Sequence, residues 1–265
     1  MISLPRFVNS CMNRPAKARI RASFERAAAT YDQAADVQRR ICEQLAAGLP
    51  EGPAPAHILD AGCGTGYAQA MLQQRYPASR SIALDFSPAM LDRIDPGSYR
   101  LTADLEHLPL AANSVDLYWS SLAVQWCDLA QALGEARRVL RHAGQLAVAT
   151  LGPQTFQELR TAFADVDPYR HTLSFHDTET ISRIAREQGF TAVDLQKGME
   201  ITHFPDFRTL LRTVKAIGAN QLGDGRRTHL MSRRAFLQAE GTYETLRSPA
   251  GLPLTYDVLY LYAQP

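Results

Sequence analysis

His57-Ile58-Leu59-Asp60-Ala61-Gly62-Cys63-Gly64-Thr65-Gly66-Tyr67 sets the fold. An apolar run ends in an acid, a loop with glycine at every second position follows, and a helix-like stretch from Ala68 to Tyr76 comes next. Glycines at this density allow a sharp backbone turn and let a ligand lie against the chain. The spacing is GxGxG, unlike the GxGxxG of dinucleotide binders, and the acid precedes the loop. A phosphate would be repelled by that carboxylate, whereas a ligand with an ammonium group would be attracted. The expected ligand is therefore S-adenosylmethionine, with a methionyl amine and a cationic sulfur. Asp60, Gly62, Cys63, Gly64 and Gly66 are expected to hold it. Cys63 reads there as a small residue that fits.

Working outward, residues from Ala56 to Thr150 alternate strand-like and helix-like segments, the signature of a parallel sheet with crossover helices. Strands are expected at Ala56–Asp60, Ser81–Asp85, Tyr99–Ala103, Val115–Ser120 and Gln145–Leu151. All but the third are mostly apolar, as strands covered on both faces should be. Ser87-Pro88 reads as a helix start, with Ser87 as N-cap. Leu129–Arg141 reads as a helix closed by His142-Ala143-Gly144. Beyond Leu151, helices are expected at Thr155–Val166, Asp177–Gln188, Pro205–Ala219 and Met231–Leu246. A strand should begin at Thr191–Gln196 and extend toward Thr202, and Tyr256–Ala263 should form a strong terminal strand.

Acids at the ends of the expected strands extend the constellation, because open parallel sheets bind ligands at that edge. Asp85 suits two ribose hydroxyls; Asp104 with Leu105 suits an adenine amine and an apolar ring face. Asp116 begins its strand and reads as structural. Gln125 and Trp126 follow the fourth strand, where the methyl donor must meet its acceptor. Arg212 and Lys215 lie three residues apart, on one helix face, and are candidates for holding a substrate carboxylate.

Net charge is +1 over 265 residues, and the 46% apolar and 21% charged content is that of an ordinary globular protein. Residues 1–40 hold eight Lys or Arg against three acids, and 205–240 hold seven against three. These are either solvated helix faces or a docking surface for an acidic partner. Nucleic acid is disfavoured, because the basic segments lack interleaved aromatics. No apolar run approaches the ~20 residues of a membrane span. The polar, basic start has no signal-peptide core, so a cytoplasmic location is expected. Cys11, Cys42, Cys63 and Cys127 and the seven histidines show no metal-ligand spacing, and no metal is expected.

DAGCGTG (60–66), LDFSPAML (84–91), ADLEHLPL (103–110), VDLYWSSLAVQW (115–126) and LRHAGQLAVATL (140–151) together resemble the class I S-adenosylmethionine-dependent methyltransferases. That resemblance implies a Rossmann-like α/β fold. Its sheet would be mostly parallel with an antiparallel C-terminal strand, and helices would cover both faces. It adds Phe86, Met90 and Ser120 to the cofactor site. ASFERAAATYDQAADVQR (22–39), SSLAVQWC (120–127), LLRTVKAIGAN (210–220) and PLTYDVLYLYA (253–263) are similar to the malonyl-[acyl-carrier protein] O-methyltransferases of biotin synthesis. The narrower resemblance implies methylation of the free carboxylate of malonyl-acyl carrier protein, or malonyl-CoA, leaving S-adenosylhomocysteine. It places Tyr31 in an N-terminal lid over cofactor and substrate.

The expected organisation is a helical lid over 1–50 and an α/β core over 51–202. A helical cap follows over 203–250, and the last strand of the core over 251–265. Arg14, Lys17, Arg19, Arg21, Arg226, Arg227, Arg233 and Arg234 are candidates for docking the acidic carrier protein. A methyltransferase of a phenol or quinone precursor, and a non-catalytic binding partner or sensor, share the same core motifs and stay open.

Overall fold

The computed structural model describes residues 15–216 and 231–265. Cys11, Arg14, Arg226, Arg227, His229 and the expected loop over 223–227 lie outside the described residues. Helices α1 (Lys17–Ala27), α2 (Tyr31–Ala34) and α3 (Asp36–Ala47) precede strand β1 (His57–Ala61). Then come α4 (Tyr67–Arg75), β2 (Arg80–Asp85), α5 (Pro88–Leu91), β3 (Tyr99–Thr102) and β4 (Val115–Ser121). A 3₁₀ turn, Val124–Trp126, leads into α6 (Leu129–Val139) and β5 (Leu140–Leu151). The remainder is α7 (Gln157–Phe163), α8 (Thr178–Glu187), β6 (Thr191–Phe204), α9 (Phe207–Ala216), α10 (Arg233–Glu244) and β7 (Leu252–Gln264).

The seven strands form one sheet in the order β3-β2-β1-β4-β5-β7-β6. β1 to β5 run parallel, and β7 is inserted antiparallel between β5 and β6. β6 therefore points the same way as β1. Its end at Phe204, and with it the α9–α10 insertion, emerges at the edge where the glycine loop lies.

The burial pattern explains the positions. β7 is buried along nearly its whole length, as a central strand must be when both faces are covered. β6 alternates between exposed and half-buried, as an edge strand does. One core lies on each side of the sheet. The first joins Ile41 and Leu45 of α3 to Trp119, Phe207 and Tyr243; the second joins Leu133 and Ala136 of α6 to Tyr118 and Ile181. Burial of each such large side chain contributes roughly 1.5–3 kcal/mol. α3 is held further by Tyr262, whose hydroxyl donates to the Leu45 carbonyl at 2.9 Å, and by an Arg40–Glu200 ion pair of 2.7 Å. Within residues 1–50, α3 is thus built into the core.

Two local expectations change. Ser87 stands at the N-cap of α5, but its buried hydroxyl makes no capping bond; the Ser87 amide instead donates to Asp85 Oδ1 at 2.8 Å. His142-Ala143-Gly144 does not cap α6. The helix ends at Val139, β5 starts at Leu140, and the pairing jumps from Val115–Leu140 to Leu117–Gln145. Those residues form an irregularity inside the strand. Arg141 there binds Asp116 Oδ1 at 2.7 Å, and the His57 amide donates to Asp116 Oδ2 at 2.8 Å. These bonds hold Asp116 below the usual carboxylate range although burial pushes it up, which gives this acid a structural place. No helix among the described residues is long and apolar enough to cross a membrane.

Candidate functional site

The loop after β1 is tied to β2 by main-chain bonds. The Gly62 and Cys63 amides both donate to the Leu84 carbonyl, at 2.7 and 3.0 Å. Gly62 has φ +77°, and a Cβ there would lie 2.3 Å from the Ala123 Cβ, so only glycine fits beside the end of β4. Gly64 has φ +54° with nothing within 4 Å of an added Cβ. Its bare face opens onto two adjoining cavities, both of which it lines. Gly66 heads α4 and packs on Ile94, outside both.

The first cavity, of about 70 Å³, is walled by Tyr31, Gln38, Arg39, Asp60, Cys63 and Leu122, among others. Asp60 is 1% exposed, and its Oδ2 is buried without a hydrogen-bond partner. Gln38 Oε1, on the facing helix α3, is likewise buried and unpartnered. A buried acceptor left unpaired costs about 1–3 kcal/mol, and two on one cavity fit a group with several N–H donors, such as an ammonium. Burial, and secondarily Asp85, push the Asp60 carboxyl up to about 8. A bound cation would favour its ionised form. Arg39, on the same wall, suits the carboxylate end of an amino-acid ligand.

Asp85 receives the Gly64 amide on Oδ2 at 3.0 Å and the Ser87 amide on Oδ1. Burial raises its carboxyl, and the amides of Ser87, Gly64 and Phe86 draw it partly back. Both oxygens retain lone pairs that hydroxyls could use. The second cavity, of about 80 Å³, lies beyond it, lined by Lys17, Phe24, Phe86, Met90, Leu105 and Trp126. Tyr31, Gly62, Gly64 and Leu122 are common to both cavities. Burial, then Asp85, hold the Tyr31 phenol above its usual range, so it stays neutral. Leu122 has φ +55°, a strained conformation for a branched side chain, of the kind that clusters at functional sites.

α1 closes the second cavity in two ways. The Phe24 ring lies 5.8 Å from Trp126 and 6.2 Å from Phe86, both edge-on, and 6.5 Å from Tyr31. The Lys17 ammonium binds both the Asp104 and Glu106 carboxylates. The cavities are far below the roughly 300 Å³ at which small-molecule sites begin, so this is a closed arrangement that must open for a cofactor.

The structure brings Tyr31, Asp60, Gly62, Cys63, Gly64, Asp85, Phe86, Met90, Leu105 and Trp126 onto this double cavity. Besides Gly66, five residues need correction. Ser120 is fully buried and donates to the Ala61 carbonyl at 2.7 Å; Ser121 takes its place on the wall because side chains alternate along β4. Gln125 faces a separate, narrower space. Arg212 and Lys215 lie on the exposed face of α9, whose other face is buried through Phe207, Leu210 and Val214. Asp104 meets Lys17 rather than open space. Lys17, Phe24, Gln38 and Arg39 were not singled out for this site. Lys17 and Phe24 stand seven residues apart and so on one face of α1, which was the available signal for those two.

The docking expectation also changes. Among the described cations of residues 1–40, Lys17, Arg21, Arg39 and Arg40 have acidic partners within the chain. The Asp104, Glu106 and Cys127 ligand atoms lie within 4.8 Å of one another, but the Lys17 ammonium already sits on both carboxylates.

A methyltransferase-domain family model matches residues 59–148. The chain is 66% identical, over 95% of both sequences, to a malonyl-[acyl-carrier protein] O-methyltransferase of Dechloromonas aromatica. It belongs to the malonyl-[acyl-carrier protein] O-methyltransferase family. As a member it is an S-adenosylmethionine-dependent methyltransferase. A biotin biosynthesis bifunctional protein BioHC of Cellvibrio japonicus is 36% identical over 92% of this chain and 49% of its own length. Among solved structures, a Haemonchus contortus phosphoethanolamine N-methyltransferase with S-adenosylhomocysteine superposes with TM-score 0.57. It is 16% identical, over 92% of this chain and 59% of its own, a likeness of fold.

Proposed function

We propose that this methyltransferase esterifies the free carboxylate of a malonyl thioester on acyl carrier protein, at the start of biotin synthesis. The observation behind the reading is that the likeness to carrier-protein methyltransferases runs through 95% of the chain, lid and insertion included. When bound, S-adenosylmethionine supplies an activated methyl group on a cationic sulfur. Asp60 and Gln38 would hold its ammonium, Asp85 the ribose, and Phe86, Met90 and Leu105 the adenine face. A malonyl carboxylate is already ionised at pH 7, so no residue need act as a general base. Catalysis then rests on positioning, which can contribute up to ~7–11 kcal/mol. Phe24, Tyr31 and Trp126 would close over the reacting groups and exclude water. The part of residues 1–50 ahead of α3 supplies the lid, and residues 203–250 the cap, in this reading.

Incubating the protein with methyl-labelled S-adenosylmethionine and either malonyl-acyl carrier protein or malonyl-CoA tests it. A labelled methyl ester is expected, and none from either thioester would overturn the proposal.

A further inference from the structure

A third cleft, of about 460 Å³, lies between helix α7 and the segment that follows it, walled by Pro153, Arg160, Phe163, Arg170, His171 and Phe175 among others. The site above does not use it. Arg160 is anchored by bonds to the Pro153 and Thr155 carbonyls, at 2.8 and 2.5 Å, leaving three of its five N–H donors. Arg170 touches the Ser174 hydroxyl. The one carboxylate on the wall, Asp167, is taken by His171 Nε2 at 2.9 Å, and the His171 ring is stacked on Phe163. Glu158, behind Arg160, is occupied by the Thr255 amide and hydroxyl. The wall thus presents two guanidinium groups and an acid already engaged, a donor set suited to a phosphate.

The cleft leads inward. Ser174 and Phe175 also wall a neck of about 10 Å³ with Gln125 and Cys127, and Cys127 is part of the wall of the Phe24–Trp126 cavity. In the neck, Gln125 Nε2 donates to the Leu122 carbonyl at 2.7 Å, while its Oε1 is buried with no partner. The sequence from surface to cofactor cavity is therefore two cations, an unpaired amide acceptor, then the aromatic closure.

We propose that this cleft and neck receive the phosphopantetheine arm of the acyl carrier protein. Its phosphodiester would sit on Arg160 and Arg170, an amide N–H on Gln125 Oε1, and its thioester end by Trp126. The arm carries phosphate, amides and thioester in that order, matching the wall. The inference rests on the carrier-bound malonyl reading above. The neck must widen as the arm enters.

Arg170→Glu, with the neutral Arg170→Gln as a milder variant, tests the phosphate contact. The KM for malonyl-acyl carrier protein should rise about tenfold in Arg170→Glu, as expected for losing a charge-assisted bond. The KM for malonyl-pantetheine, which lacks the phosphate, should change less than twofold, and the Kd for S-adenosylhomocysteine should stay unchanged. Equal losses on both thioesters, or none on the carrier protein, would overturn the assignment. Calorimetric binding of coenzyme A reads the same contact without turnover. Weaker binding by both variants is expected, and equal affinity in wild type and variants would refute the site. If wild type methylates no malonyl thioester yet binds coenzyme A through Arg170, the substrate reading fails and the phosphate site stands.

Discussion

Lys17 Nζ lies 2.8 Å from Glu106 Oε2, so the first turn of α1 is fastened to the loop after β3 across the mouth of the cofactor cavity. Burial lowers the affinity of Lys17 for its proton, but the two carboxylates outweigh that and hold the ammonium above its usual range. The Lys17 side chain is 41% exposed, so solvent screening keeps the latch to about 1 kcal/mol. Lys17→Ala should therefore open the lid more often without unfolding the core. Stopped-flow measurement should show S-adenosylhomocysteine leaving roughly fivefold faster. An unchanged release rate would mean that α1 is held shut by its aromatic contacts alone.

Asp60 makes ligand binding and stability depend on pH in opposite directions. Its carboxyl stands at about 8 in the fold against an ordinary 3.8, so between those values the folded ligand-free protein binds more protons than the unfolded chain. Stability supplied by the protonated acid is accordingly lost as pH rises toward and through 8. A ligand bearing an ammonium favours the ionised form, so its binding at pH 7 should release a proton. Calorimetry in buffers of different ionisation enthalpy reads that proton directly. Asp60→Asn should weaken S-adenosylhomocysteine by about 100-fold, in line with losing a buried charged hydrogen bond. It should also flatten the fall in Tm between pH 6 and 8.5. A wild-type protein that binds with no proton release would show Asp60 already ionised.

Much of this site was legible because parallel-sheet geometry converts sequence order into place. Once Asp60, Asp85 and Asp104 end successive strands, they must share one edge. Contacts across the fold were not legible in that way. Lys17 reaches Asp104 over 87 residues, and no local pattern records where α1 crosses the sheet. Ser120 and Ser121 differ only by the phase of β4, which shifts with the irregularity after Val115. The misplaced Arg212 and Lys215 did leave a signal. Phe207, Leu210, Leu211 and Val214 repeat at helical spacing and mark the face that must be buried, with the two cations on the other side.

Phe24 joins the lid to both halves of the cavity through Tyr31, Phe86 and Trp126. It is only half-buried, so Phe24→Ala should lower Tm by about 2–8 °C, less than a core truncation would. Its edge-on contacts are worth roughly 0.5–1.5 kcal/mol each beyond buried area. Losing them should reduce kcat/KM for methyl transfer by tenfold or more. Phe24→Leu should restore the fold but only part of the rate. Full activity in Phe24→Ala would show that closure does not require this ring.

Arg212 and Lys215 offer the sharpest contrast between a helix wheel and a packed helix. Both stand on the exposed side of α9, away from the walls of the two cofactor cavities. An exposed cation there interacts with a bound carboxylate only through solvent, where a Debye length of about 8 Å screens it at physiological salt. Arg212→Ala and Lys215→Ala should each change kcat and the KM for S-adenosylmethionine by less than about twofold. Any rise in the KM for the carrier-borne substrate should shrink as sodium chloride is raised from 50 to 300 mM, the behaviour of a surface contact. A loss of kcat that persists at high salt would instead put one of these cations beside the reacting carboxylate.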